Sequence, residues 1–142
     1  MGTIFSVTCE NKKCKYNTIL CEGTSMLKFA ELLEFQDAVI SDAGSNSSIA
    51  QKLKNGAKIM TNGIYLCPEC KEFKINNTYY LMDNITVSPY GTLRYDISFP
   101  FNIPACDICN SELVYVKNIL SSKVKCPKCG NKLKARKIGC AD

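Results

Sequence analysis

Eight of the ten cysteines stand in four close pairs: Cys9 with Cys14, Cys67 with Cys70, Cys106 with Cys109, and Cys126 with Cys129. Thiols at such spacings can join as disulfides, exchange electrons or hold a metal. The last two pairs read C-x2-C-x16-C-x2-C, the spacing of a four-thiolate zinc site. Zinc takes four ligands in a tetrahedron, with each sulfur at about 2.3 Å. A Cys-x-x-Cys turn aims two thiolates at one point, and two such turns face to face complete the shell. Pro127 presets φ for the last turn, and Gly130 permits the left-handed residue that follows it. The expected first site is therefore Cys106, Cys109, Cys126 and Cys129. Between Cys14 of the first pair, Cys9/Cys14, and Cys67-Pro-Glu-Cys70 stand 52 residues. That gap is tolerable, because loop-closure cost grows only logarithmically with length. These four make the expected second site, for two Zn2+ per chain. Two alternatives stay open. A cross-braced chain would join Cys9/Cys14 to Cys106/Cys109 and Cys67/Cys70 to Cys126/Cys129, or Cys21 would replace Cys9 or Cys14. Otherwise Cys21 reads as a small buried hydrophobe and Cys140 as an exposed thiol.

The chain contains no histidine. That removes His-bearing zinc sites and the commonest general base. A catalytic zinc keeps one coordination position open, and complete four-thiolate shells leave none. The expectation is no enzyme, with no small-molecule substrate. A Cys-x-x-Cys of the thioredoxin type opens a helix within a βαβ unit, whereas here the flanking segments read as strands. No apolar run nears the roughly 18–20 residues that span a bilayer, and Met1-Gly-Thr-Ile-Phe-Ser6 lacks the marks of a signal peptide. The expected setting is cytoplasmic and reducing, without membrane association, where thiols bind metal rather than one another. Matches to myristoylation (Gly2, Ser6) and glycosylation (Asn76, Asn84) patterns carry no weight against that setting.

The formal net charge is +5, from 18 basic and 13 acidic residues. Each zinc with four thiolates is formally −2, so loading two sites lowers the total to +1. Residues 1–105 hold ten basic and ten acidic residues, and residues 106–142 hold eight and three. The excess gathers in Lys123, Lys125, Lys128, Lys132, Lys134, Arg136 and Lys137. A one-sided basic face suits phosphate, which makes these seven the candidate nucleic-acid contacts. Lysines also blunt edge strands against aggregation. The module offers only Tyr115 for base stacking, which leaves the nucleic-acid signal thin.

The elements that must position these residues follow from periodicity and turn chemistry. Ile4–Cys9 and Tyr16–Cys21 read as strands around the first turn. Ser25–Phe35 reads as a helix whose apolar residues cover most of its circumference, and Ile49–Asn55 as a second, opened by Ser48 and Gln51 and closed by Gly56. Asn62-Gly63 signals a hairpin between Lys58–Thr61 and Ile64–Cys67. Further strands are expected at Thr78–Met82, Ile85–Val87 and Thr92–Phe99, the last two joined by Ser88-Pro-Tyr-Gly91. Alternation of Leu93, Tyr95, Ile97 and Phe99 with polar residues gives that last strand one dry face. Pro100 and Pro104 punctuate a connector, placing a boundary between residues 1–103 and 104–142. Beyond it, Leu113–Val116, Lys123–Lys125 and Lys132–Ile138 are candidate strands.

Cys106-Asp-Ile-Cys109 and Cys126-Pro-Lys-Cys129-Gly130 together resemble the zinc-ribbon family over residues 106–138. Residues 9–70 resemble it more loosely, as a ribbon split by an insert. The resemblance implies two knuckles clamping a metal at one end of a three-stranded sheet. It says little about activity, since ribbons serve transcription, ribosomes and protein interaction alike. The tandem arrangement is also similar to that of some small bacterial proteins, without a role that maps onto residues. Cys-Pro-Lys-Cys-Gly looks like a rubredoxin knuckle too, implying iron and electron transfer, but the missing Trp and the short spacer depart from that pattern. The expected fold class is a small metal-bound α+β protein. It has two zinc-ribbon-like antiparallel β modules, the first carrying a helical insertion at about 24–56. The expected function is a non-catalytic structural and interaction module, an adaptor contacting another protein. Nucleic-acid binding through Lys123–Lys137 is the alternative, and a rubredoxin-like iron carrier the distant one.

Overall fold

The computed structural model describes residues 2–23, 26–42, 48–91 and 93–141. Ser25 and Thr92, the expected first residues of a helix and a strand, lie outside them. The described chain is a small α+β fold with nine strands, two helices and three antiparallel three-stranded sheets. None of its helices is long and apolar enough to cross a membrane.

The outer sheet is β2-β1-β9, from β1 (Gly2–Cys9), β2 (Asn17–Glu22) and β9 (Leu133–Ala141). The inner sheet is β5-β4-β8, from β4 (Gly63–Cys67), β5 (Glu72–Asn76) and β8 (Val114–Tyr115). Both follow one plan. A hairpin turns at a cysteine pair, its first strand becomes central, and a strand arriving from a second cysteine pair adds to the free side. The inner ribbon lies wholly between β2 and β9 in sequence, so one ribbon is nested within the other.

Among the described residues, the chain beyond residue 103 thus builds no sheet of its own. β9 runs antiparallel to β1 in a register from Gly2↔Ala141 to Cys9↔Leu133, and β8 pairs with β4 through Tyr65↔Tyr115 and Leu66↔Val114. The expected strand Lys123–Lys125 shrinks to a single bridge, Lys125↔Lys132. The physical reason lies in the spacer between Cys109 and Cys126. It buries Val116 and Ile119 in the core shared by the two ribbons, against Phe5, Val7 and Leu20 of the outer sheet and Ile64 and Phe73 of the inner. A spacer committed to that core is not free to fold back as a hairpin.

The third sheet, β3-β6-β7, comprises β3 (Lys58–Met60), β6 (Tyr80–Val87) and β7 (Leu93–Ser98). The expected strands at Thr78–Met82 and Ile85–Val87 are one, with a register shift between Asp83 and Thr86. Asn62-Gly63 does not turn a hairpin. β3 pairs with β6 while β4 pairs with β5 and β8, so the chain changes sheets there. Asn62 takes the positive φ, 60°, and its backbone is tied to Gly23 by a 2.9 Å hydrogen bond. Gly63 serves close approach instead. A Cβ there would sit 3.0 Å from ring carbons of both Tyr65 and Tyr115.

Helix α1 runs over Met26–Asp42, beyond the expected end at Phe35, and α2 over Ser48–Lys54. The extension follows from Leu32, Phe35, Val39 and Ile40, whose helical spacing makes one stripe against Leu53, Ile59 and Leu81. Phe35 stacks on Tyr79 with centroids 4.4 Å apart. The rest of the helix is not buried all round, since Phe29 and Leu33 stay about half exposed. Gly56 closes α2 at φ 102°, as its position predicts.

Candidate metal centres

Four turns bring the thiols together, and their backbones share a device. The residue after the second cysteine of each pair is left-handed: Lys15 (φ 57°), Lys71 (φ 53°), Asn110 (φ 61°) and Gly130 (φ 77°). In three of them its amide bonds the carbonyl of the first cysteine, Lys71 to Cys67, Asn110 to Cys106 and Gly130 to Cys126, at 2.8–2.9 Å. The third and fourth turns match further, because Cys106 N–H bonds Ser111 O and Cys126 N–H bonds Asn131 O, both at 2.8 Å. Such closure holds two sulfurs of one turn on the same side.

All eight paired cysteines fall into two groups, Cys9, Cys14, Cys126 and Cys129 in one and Cys67, Cys70, Cys106 and Cys109 in the other. Within each group the sulfurs lie within 4.8 Å of one another. This corrects the pairing read from spacing. Cys106/Cys109 do not face Cys126/Cys129, and Cys9/Cys14 do not face Cys67/Cys70. The cross-braced alternative fails as well: the first pair meets the fourth, and the second meets the third. Strand pairing dictates this, since β9 carries the fourth turn to β1 and β8 carries the third to β4. Neither Cys21, in β2, nor the exposed Cys140 joins a group.

The geometry fits a tetrahedral ion. Sulfurs at about 2.3 Å from a common centre stand about 3.8 Å apart. Observed separations are 3.4 Å for Cys9–Cys129, 3.7 Å for Cys14–Cys126, 3.4 Å for Cys67–Cys109 and 3.8 Å for Cys70–Cys106. A disulfide needs about 2.05 Å, and all ten cysteines are free. These are two four-cysteine groups able to hold metal ions in a zinc-ribbon-like way.

Each group has a wet rim and a dry floor. Cys109 and Cys129 are exposed; Cys67, Cys9, Cys106 and Cys126 are buried. At Cys129 the backbone amide and side chain of Asn131 stabilise the thiolate and bring its pKa down to about 6. Ser111 does the same for Cys109, through side chain then backbone, again to about 6. Opposite them, burial drives Cys9 up to about 12, and the adjoining Cys109 sulfur, with burial, does so for Cys70. Each cluster therefore offers a ready thiolate at its rim, while Cys9 and Cys70 are the thiols that would give up protons to a metal. Asn11 N–H and Cys70 N–H also point at Cys9 Sγ and Cys67 Sγ, both at 3.4 Å. The sequence reading missed Asn11, Ser111 and Asn131. Ser111 and Asn131 had a visible signal, since each stands two places after its turn's second cysteine.

The seven basic candidates are all exposed. Lys128 is drawn away to the inner group, donating to Cys70 O at 3.2 Å and meeting Glu72 at 3.5 Å. Glu72 meets Lys74, which meets Asp107 inside the third turn, so a chain of charges joins the two centres. Lys134 and Arg136 stand beside Ser6 and Thr8 around a shallow hollow on the outer sheet. Apart from Lys128, none of the seven forms an ion pair among the described residues.

No protein-family model, curated protein or solved structure matches this chain. The centres are therefore characterised by their own geometry.

Proposed function

We propose that this chain is a non-catalytic, two-zinc scaffold that presents a binding surface to another protein. The observation that carries this reading is the convergence of eight thiols into two tetrahedron-sized groups. Thiolate-only donor sets suit zinc, and four of them fill its coordination sphere, leaving no position for substrate. Structural zinc binding contributes about 10–16 kcal/mol, which is as large as the whole stability of a typical domain. The metals would then act by holding turns and sheets in place, and function would reside in the surfaces so held. Elemental analysis of the purified protein tests this, with two zinc atoms per chain expected and loss of the cooperative melt on chelation. A coloured protein containing iron would favour electron transfer instead, and one that melts unchanged after complete metal removal would refute the scaffold.

The hollow of Lys134, Arg136, Ser6 and Thr8 supports a second reading, in which the outer sheet contacts nucleic-acid phosphate. A salt-dependent gel shift, lost in the Lys132→Ala, Lys134→Ala, Arg136→Ala triple variant, is its expected signature.

A further inference from the structure

Between the inner sheet and the connector from β8 to the fourth cysteine turn lies a groove of about 590 Å³. That size is typical of clefts that enclose a ligand. Leu66, Phe73, Val116 and Val124 supply its apolar floor, and Lys117, Lys123 and Lys125 its polar rim. Among the described residues, no carboxylate lines it. Lys117 is held in place, its ammonium donating to Tyr95 O and lying 4.8 Å from the centroid of the Tyr95 ring. Lys123 and Lys125 are exposed and form no ion pair among the described residues. Lys125 moreover faces Lys132 directly across an antiparallel bridge. Like charges so placed repel, and an anion laid over them relieves the repulsion.

We propose that this groove docks a segment of a partner protein in which large apolar side chains alternate with carboxylates. The inference rests on the scaffold reading and deepens it by naming the surface and the chemistry of its occupant. The apolar floor rewards insertion of side chains, and the unpaired ammonium groups of Lys123 and Lys125 select the acidic residues between them. Nucleic acid satisfies only the rim. Single strands need exposed rings on which bases stack, and the aromatic walls are Phe73, 7% exposed, and the half-buried Tyr115. Cys126 and Pro127 also line the groove, so the outer metal centre helps to hold its wall.

The test uses the full-length, zinc-loaded protein and fluorescent peptides in which Leu or Phe alternates with Glu or Asp. Peptides with Lys in place of the acids, and a labelled single-stranded oligonucleotide, serve as comparators. The acidic peptides are expected to bind and the basic ones not. The K123E/K125E double variant, altered only at exposed positions, should weaken acidic-peptide binding by roughly tenfold or more and flatten its salt dependence. Val124→Asp should abolish binding, with zinc content measured alongside to show an intact scaffold. Absence of peptide binding, affinity unchanged by the charge reversal, or oligonucleotide binding in place of peptide binding overturns the proposal. Zinc analysis of the same samples separates the two failures. Two zinc atoms without peptide binding refute the groove alone, and a folded protein without zinc refutes the scaffold.

Discussion

The two ribbons share a plan but differ in how far apart along the chain their thiols lie. The inner group closes contacts between residues 42 and 36 apart, Cys67–Cys109 and Cys70–Cys106. The outer group closes contacts 120 and 112 apart, Cys9–Cys129 and Cys14–Cys126. Loop-closure entropy alone makes the outer site costlier by about 1 kcal/mol. Once the inner ribbon is closed, the ends that carry the outer turns already lie near each other, and the remaining loop is shorter. The difference sets an expected order of closure: the inner group spans the shorter loops, and the outer group spans the chain around it.

Loss of the inner centre should therefore have the largest effect. The Cys70→Ser/Cys106→Ser variant is expected to lose both zinc ions and its cooperative melt. Retention of one zinc in that variant would make the two ribbons independent. The next effect is expected at Gly63, where the inner sheet begins. Gly63→Ala places a Cβ 3.0 Å from the Tyr65 and Tyr115 rings, which should cost about 1–3 kcal/mol in denaturant unfolding with zinc content retained.

Among the described residues, the inner region also packs a cluster of tyrosines that the outer one lacks. Tyr65 and Tyr115 meet edge to face at 5.5 Å, and Tyr80 lies 5.4 Å from Tyr115. Burial raises the pKa of all three, that of Tyr80 to about 12, and the Tyr65 hydroxyl is buried without a partner among the described residues. A phenol whose pKa rises on folding favours the folded state while it is neutral. Its contribution is complete below the ordinary value of 10.0 and is lost as pH climbs towards about 12. Stability is expected to fall across that window, in step with tyrosinate absorbance. The smallest effect is expected at the charged link between the centres. Lys128→Ala removes contacts to Cys70 O and Glu72 that are well exposed to solvent. It should cost about 0.2–1 kcal/mol, less at high salt.

Much of each centre was legible residue by residue. The eight cysteines declare themselves by local spacing, because a turn is a local object. Which turn meets which was not legible, since strand partners are chosen by burial across the whole chain. Val116 reads only as the end of a short strand and Ile119 as an ordinary connector residue, yet their place in the shared core directs the fourth turn to β1 rather than to the third. Asn62-Gly63 misled for a related reason. Its signal is a glycine at a turn, and what the fold requires there is space for Tyr65 and Tyr115. The left-handed Lys15 and Lys71 also escaped notice, because lysine carries no mark of that conformation. α1 outran its expected end because Gln36 and Asp37 interrupt the apolar run without breaking the helical stripe that resumes at Val39.

Nesting is tested most directly by counting zinc in the Cys14→Ser/Cys126→Ser variant with native mass spectrometry. Both substitutions fall in the outer group, so one zinc should remain, held by Cys67, Cys70, Cys106 and Cys109. Sequential or cross-braced pairing places one lesion in each site, and a variant stripped of both ions would contradict the nested arrangement.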